Sequence, residues 1–338
     1  MKAEPMEAAL FSGRDLDVGS TDADMLAALG GPAWVAIPGR DRSRLRVVST
    51  LLHGNEPSGF RAIGRFLRSE REPATDLLCF FGSVRAARIP PGFANRTLPS
   101  GRDLNRCFKP PFCDAEGHLA CEVLERLRER PPEALVDLHN TSGRGPAYGV
   151  LMSRDRRSQQ IAALWSRHAV VTDLRLGALT EATTERFPSA VVECGGRDDP
   201  AADRLAWYGL RAFAERETLF DGKPTLELFE HPVRIEVCRG YEIAYAAEPV
   251  AGVDITLYPD LDRYNFGVID AGEAIGWLGP RGLSALQLHQ ASGVGSAEPL
   301  LTLRSERLVA AHPFRPLMIT TQPEIAKSDC LFYAVPTA

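Results

Sequence analysis

The strongest constraint on this chain is a strand that turns into a helix within residues 45–67. Residues 45–52 (LRVVSTLL) are rich in leucine and β-branched residues, and Phe60, Ile63 and Leu67 then recur at the spacing of one helical face. The corner between them reads His53-Gly54-Asn55-Glu56, and Pro57 suits a first helical position, where a missing N–H costs nothing. An imidazole and a carboxylate three positions apart on a rigid corner are two-thirds of a His₂Glu zinc site, the ligand set that leaves a fourth position for water. A bare H-x-x-E arises often by chance, so the rest of the chain must supply a third ligand.

The flanking pattern is strand and helix in alternation. Residues 33–37 (AWVAI) and 45–52 read as strands separated by the polar turn GRDRSR, and 77–81 as a strand after the helix. Residues 82–109 are rich in Pro, Gly and Arg without sustained periodicity, and so long a loop inside a compact domain is usually functional; it carries Arg85, Arg88, Arg96, Arg102 and Arg106. A helical period follows at Ala120, Val123, Leu124 and Leu127, then a strand, 134–139 (ALVDLH), on which Leu135, Asp137 and His139 share one face. Residues 143–148 read as loop, 161–171 as a helix with Leu164 and Trp165 on its apolar side, and 190–193 (AVVE) as a buried strand ended by Gly195-Gly196. Asp199 as N-cap and Pro200 in the first turn open a helix to about Arg216.

The expected architecture is α/β: a three-layer α/β/α domain with a mostly parallel, mixed sheet over residues 33–217, preceded by a peripheral segment, 1–32. After a linker at 218–224 the texture changes to short runs such as VRIEV, EAIGWL and LLTLR, read as a smaller β-rich C-terminal domain over 225–338. The 338 residues exceed the usual size of one core, in agreement with two domains. Hydrophobic residues at 44% and charged residues at 25% are ordinary for a globular protein. No run is long enough to span a membrane, and the N-terminus lacks a basic stretch followed by an apolar one, so a cytoplasmic location is the default expectation. A net charge of −5 without a basic cluster argues against nucleic acid as a partner, and the seven scattered cysteines, with no C-x-x-C pair, against a zinc ribbon. The composition leaves a homo-oligomer open.

Ligands in open α/β sheets bind outside the carboxyl ends of the strands, where residues far apart in sequence converge. His53 and Glu56, His139, and Glu193 all stand at such ends. His139 is then the third metal ligand, and Asp137 on the same face can orient its imidazole. Glu193 ends an apolar strand, where an unpaired carboxylate is costly to bury; beside a catalytic metal it can serve as general base, and otherwise it pairs with Arg197 or Arg186. Asn105-Arg106 is a candidate carboxylate clamp, a planar guanidinium matching a carboxylate bidentately with an amide to fix orientation. Asp103 can accept from the free ring nitrogen of a zinc histidine.

With HGNEPSG, DLNR, DLHNTSG and VECGG in this order, the chain resembles the zinc carboxypeptidase superfamily, in its aspartoacylase and succinylglutamate desuccinylase branch, over about residues 45–217. The resemblance implies a zinc-carboxypeptidase-like fold with a β-rich C-terminal domain, and one Zn²⁺ per chain held by His53, Glu56 and His139. It further implies a substrate carboxylate held by Asn105 and Arg106, Glu193 as general base, and an arginine at the scissile carbonyl, best matched by Arg96 with Arg102 as rival. The tyrosine that the branch brings from its C-terminal part has no counterpart placed here, and Arg186 is a loose match to a second anion-binding arginine. The reading is a hydrolase of small anionic N-acyl amino acids; a metallocarboxypeptidase acting on short peptides is the nearest alternative, and a non-catalytic zinc-binding relative the third.

Overall fold

The computed structural model describes residues 7–290 and 292–337. Two compact units emerge: one of the described residues up to Asn140 with Ala147–Val170 and Arg175–Leu228, the other of Thr141–Pro146, Val171–Leu174 and the residues from Phe229 onward. In chain order, the first part contains β1 (Ala9–Ser12), α1 (Asp22–Leu29), β2 (Ala33–Ile37), β3 (Asp41–Thr50), α2 (Ser58–Leu67), β4 (Thr75–Phe81) and α3 (Val84–Ala87). A 3₁₀ turn (Leu104–Arg106) precedes α4 (Ala115–Glu129), β5 (Ala134–Thr141), β6 (Tyr148–Leu151), α5 (Arg156–Ala162) and β7 (His168–Val171). Then come α6 (Leu179–Thr183), β8 (Ser189–Gly196), α7 (Pro200–Glu215) and β9 (Glu227–Glu230).

These strands form one mixed sheet in the order β1-β2-β4-β3-β5-β8-β6-β7-β9. The strands that carry the sequence motifs are central: β3 is parallel to both β4 and β5, and β8 is β5's other neighbour. Leu119, Ala120, Val123 and Leu127 of α4 pack with Trp34, Val47, Phe80 and Leu135 of the sheet. On the opposite face α2 lies so close that a Cβ on Gly59 would stand 2.3 Å from Thr50 Oγ1 and 2.8 Å from Leu138 Cβ. Sheet and helices thus make the three layers expected, and helix-covered central strands explain why the motif strands read as unbroken apolar runs. Arg46 is buried at the start of this core because its guanidinium caps α7, donating to the carbonyls of Phe213 (2.6 Å) and Arg216 (2.7 Å) and pairing with Glu133.

The second unit carries β10 (Val233–Val237), β11 (Ile243–Tyr245), β12 (Ile255–Leu257), β13 (Ala274–Leu278), β14 (Leu286–Gln290), β15 (Gly293–Ser296), β16 (Leu301–Arg304), β17 (Arg307–Ala310), β18 (Phe314–Leu317), α8 (Pro323–Ser328) and β19 (Phe332–Pro336). They form two five-stranded sheets, β15-β14-β10-β19-β18 and β11-β12-β13-β17-β16, around a core that includes Ile235, Ile255, Leu257, Ile275, Leu308, Phe314 and Phe332.

Several local expectations need correction. The helix expected over 161–171 is a helix that ends at Ala162 followed by strand β7, because His168-Ala169-Val170-Val171 enters the sheet while Trp165 turns onto Phe213 and over Gly209. The GRDRSR turn is largely the exposed start of β3: Asp41 pairs in register with Thr75, and its side chain accepts from Ser43 and Arg44, so solvent-facing polar residues disguise a strand. Residues 9–12 of the peripheral segment form β1, parallel to β2 at the sheet edge. The strand β6 falls at the end of the loop read over 143–148, and Pro57 is the N-cap of α2 rather than its first helical residue.

Gly59→Ala tests the close approach of α2 to the two motif strands. The added methyl should lower the urea unfolding free energy by about 1–3 kcal/mol, the cost of overpacking, outweighing the gain of about 1 kcal/mol that alanine brings to a helix. Unchanged stability would show that α2 can move off the sheet without strain.

Candidate active site

Four polar side chains from three strand ends face one another in the first unit. His53 and Glu56 come from the turn between β3 and α2, His139 from the end of β5, and Glu193 from β8, and all four are buried. His53 Nδ1 lies 2.8 Å from Glu56 Oε1 and His139 Nδ1 lies 2.7 Å from Glu56 Oε2, so one carboxylate faces the same ring atom of both imidazoles. The rings stand edge to face with centroids 5.0 Å apart. The opposite nitrogens are held by carboxylates in turn: His53 Nε2 is 3.0 Å from Asp103 Oδ1, and His139 Nε2 is 2.8 Å from Asp137 Oδ2. Glu193 Oε2 is buried with no hydrogen-bond partner among the described residues. Arg197, offered by the sequence as an ion-pair partner for Glu193, pairs with Asp198, and Arg186 lines a cleft with Leu124, Leu127 and Phe187.

The field at this cluster is set by burial against close opposite charges. Burial pushes the Glu56 carboxyl up, but the two imidazoles hold it well below the ordinary carboxylate range. Burial works against a charge on His139, yet Asp137 and Glu56 raise it well above the ordinary histidine value. For His53, burial and the Arg96 guanidinium act downward and Glu56 and Asp103 upward, with a net rise. Burial, reinforced by Glu56, pushes Glu193 up to about 7 in spite of both histidines and Arg96.

The arginine loop brings a different set of groups to the same place. Asp103 caps the 3₁₀ turn by accepting from Asn105 N at 2.9 Å, and it receives both His53 and Arg96, whose Nη2 and Nε lie 2.9 and 3.2 Å from Oδ2. Burial raises the Asp103 carboxyl, and His53 with Arg96 and Arg106 overrides this and drives it far down. Held in this way, Arg96 places Nη1 3.7 Å from Glu56 Oε1. Arg102, the rival in the sequence, is turned away to Asp114, with Nη2 2.7 Å from Oδ1. Arg106 Nη1 donates to the Asn105 carbonyl at 3.0 Å, and Asn105 Oδ1 accepts from Leu179 N at 3.0 Å, which ties this turn to the start of α6.

Sequence reading gave no role to Asn140, Ser58 or Glu181. Asn140 and Ser58 bond to each other behind the triad, and Glu181 accepts from the backbone N–H groups of Leu176 and Gly177, both at 2.8 Å, shaping the segment that Asn105 holds. Asn140 and Ser58 stand inside the quoted motifs DLHNTSG and HGNEPSG, so the signal was present. Glu181 has no motif around it.

No family model and no curated protein matches the sequence. Among solved structures, the chain is similar to a succinylglutamate desuccinylase/aspartoacylase from Rhodobacter sphaeroides, with a TM-score of 0.56 and 16% identity over 89% of this chain and 88% of that one. It is similar as well to the product-bound ectoine utilization protein EutE (DoeB) from Ruegeria pomeroyi, at TM-score 0.57 and 13% identity over 89% and 88% of the two chains. Murine aminoacylase 3 gives a TM-score of 0.53 at 16% identity, over 88% of this chain and 99% of that one. The chain therefore has the fold of the succinylglutamate desuccinylase and aspartoacylase structures.

The donor set fits a zinc ion. Two neutral-capable imidazole nitrogens and one carboxylate, all within 4.8 Å of one another and buried, suit a cation whose bonds to nitrogen and oxygen are about 2.0–2.2 Å. Both Nδ1 atoms face inward while both Nε2 atoms are engaged by carboxylates, the arrangement that fixes a ligand tautomer and raises its basicity. Asp137→Asn should weaken zinc binding about 10–100-fold in competition with a chromophoric chelator, and His139→Ala should weaken it far more. Wild-type affinity in both variants would exclude this triad as the metal site.

Proposed function

We propose that this chain is a zinc-dependent hydrolase that cleaves the amide bond of a small anionic N-acyl amino acid, releasing a carboxylate and a free amine. The observation that carries the reading is the triad of His53 Nδ1, His139 Nδ1 and Glu56 beside a buried Glu193 carboxyl raised to about 7. The fold shared with structures described as succinylglutamate desuccinylase/aspartoacylase and aminoacylase supports a deacylase over a peptidase. Zinc held by the triad would supply a Lewis acid for the scissile carbonyl and lower the pKa of a water molecule beside it.

The protein's own groups divide the remaining work. Glu193 takes the proton of the attacking water and delivers it to the leaving nitrogen; a carboxyl poised near neutrality does both efficiently. Arg96, fixed through Nε and Nη2 by Asp103, turns Nη1 toward the triad and stabilises the charge that grows on the carbonyl oxygen. Arg106 and the amide of Asn105 hold the substrate carboxylate, with Asn105 oriented by Leu179 N.

Glu193→Gln should keep its zinc and lose kcat by about 10²–10⁴-fold, because the site retains its shape while proton transfer is removed. The sign of the pH dependence follows from the base being active only when ionised. Its carboxyl sits at about 7 and a cation at the triad favours ionisation, so kcat/KM should hold above neutrality and fall as pH drops through an apparent pKa at or below about 7. Near wild-type turnover in Glu193→Gln would return Glu193 to a packing role.

The arginines separate binding from chemistry. Arg106→Ala should mainly raise KM, since a carboxylate remote from the reacting bond is held alike in substrate and transition state. Arg96→Ala should lower kcat by about 10²–10³-fold. Arg102→Ala should be mild, its partner being the surface Asp114. Assays on a panel of N-acyl amino acids against dipeptides decide between deacylase and carboxypeptidase; cleavage of dipeptides alone refutes the proposed substrate class.

A further inference from the structure

We propose that Asn140 is the positioning residue that fixes Glu193 relative to the metal triad; this rests on the function proposed above. Asn140 follows the third triad residue, and its side chain binds the two other chain segments that build the site. Its Oδ1 accepts from Ser58 N at 3.0 Å, just beyond Glu56, and its Nδ2 donates to Ser58 Oγ at 2.9 Å and to the Gly195 carbonyl at 3.0 Å, two residues beyond Glu193. Its backbone N–H lies 3.4 Å from Glu56 Oε2. All of these groups belong to the first unit, and both Asn140 and Ser58 are buried.

The bonds are not interchangeable. The Ser58 side of the node has a second anchor: Ser58 Oγ donates to Asp203 Oδ1 at 2.6 Å, and Asp203 Oδ2 accepts from Arg61 Nη1 at 3.0 Å, which ties α2 to α7. On the Glu193 side, Gly195 has φ of +109°, a left-handed conformation that suits glycine, and it turns the strand end so that its carbonyl meets the Asn140 amide. The triad corner is therefore held twice, whereas β8, paired at Glu193 with Tyr148 of β6, is tied beyond that pair to the β5 end by the Asn140 amide at Gly195. A base shifted by about 1 Å loses roughly 10²-fold in rate, so a single amide donor here controls turnover without touching the substrate.

Asn140→Asp is the direct test, because it keeps the acceptor for Ser58 N and removes the donor to Gly195, while Ser58 Oγ, which loses the same donor, keeps its bond to Asp203. In the full chain loaded with zinc, kcat on an N-acyl amino acid should fall about 10²-fold with KM and zinc affinity unchanged. Backbone amides around residues 194–197 should exchange with deuterium about fivefold faster, the loss of one net hydrogen bond, while those around residues 53–56 keep their rates. Ser58→Ala, which leaves the Asn140 to Gly195 bond in place, should have the smaller effect on kcat. Should Asn140→Asp be insoluble, Asn140→Ser removes the same donor without a charge and should give the same losses. Wild-type kcat with wild-type exchange at 194–197, zinc loss equal to that of His139→Ala, or equal kcat losses in Asn140→Asp and Ser58→Ala each overturn the proposal. A wild-type protein inert toward every acyl amino acid refutes the function instead, and the exchange rates then decide whether Asn140 holds β8.

Discussion

The buried carboxylate of Glu56 sets the terms for the rest of the catalytic unit. Placed out of water with Asp137, Asp103 and Glu193 close by, it belongs to a group of four acidic side chains served by two histidines and Arg96. Such an excess of buried negative charge is tolerable only if positive charge joins it, since unpaired carboxylates in a protein interior are costly. The histidines register the demand: carboxylates on both ring nitrogens raise both of them against burial. A divalent cation held by the triad would meet the same demand while leaving the rings neutral, so the acidity around the triad fits a metal as the ligand types do. Glu193 stands apart: no described group donates to its Oε2, and burial, with Glu56, pushes its carboxyl up.

The sheet exists, at this end, to hold that charge still. His139 and Glu193 sit on adjacent central strands, and His53 and Glu56 sit on the turn leaving the strand on β5's other side. Groups on strand ends inherit the rigidity of the ladder, and Gly59 lets α2 close on the same strands. Arg96 is not on a strand end, and its carbonyl accepts from Gly54 N at 2.8 Å. It reaches the triad from a long loop, and Asp103, which also engages His53, holds two of its nitrogens. One carboxylate thereby couples the orientation of the His53 imidazole to that of the Arg96 guanidinium.

Those parts of the molecule whose physics is local were legible in the sequence. Apolar β-branched runs under helices at 45–52 and 190–193, the 3.6-residue period of α4 and the Asp199-Pro200 start of α7 all report burial and capping directly. The meeting of His53, Glu56, His139 and Glu193 was legible because each ends a strand, and strand ends of an open sheet share a neighbourhood. What failed was decided by partners elsewhere in the chain. Residues 168–171 are strand because the sheet has a place for them, and 41–44 are strand although their exposed side chains look like a turn. Spacing left Arg102 as a rival to Arg96; Asp103 and Asp114 hold the two in different places, and neither pairing is visible without the fold.

The Asn105–Arg106 turn belongs to a less regular part of the structure than the triad does. Asn105 and Arg106 sit on a three-residue 3₁₀ turn, and Asn105 is oriented by Leu179 N, itself preceded by a segment that Glu181 pins through Leu176 N and Gly177 N. Phe108 N further donates to the Gly177 carbonyl, so the turn and the 175–179 segment form one body. Changes around residues 175–186 would therefore move the Asn105–Arg106 turn while the triad, anchored at the ends of β3 and β5, stays in place. This separation gives a physical reason why the triad residues carry motifs that sequence alone exposes, while the surroundings of Asn105 and Arg106 do not: the first are fixed by the ladder, and the second by loop bonds that many different sequences can make.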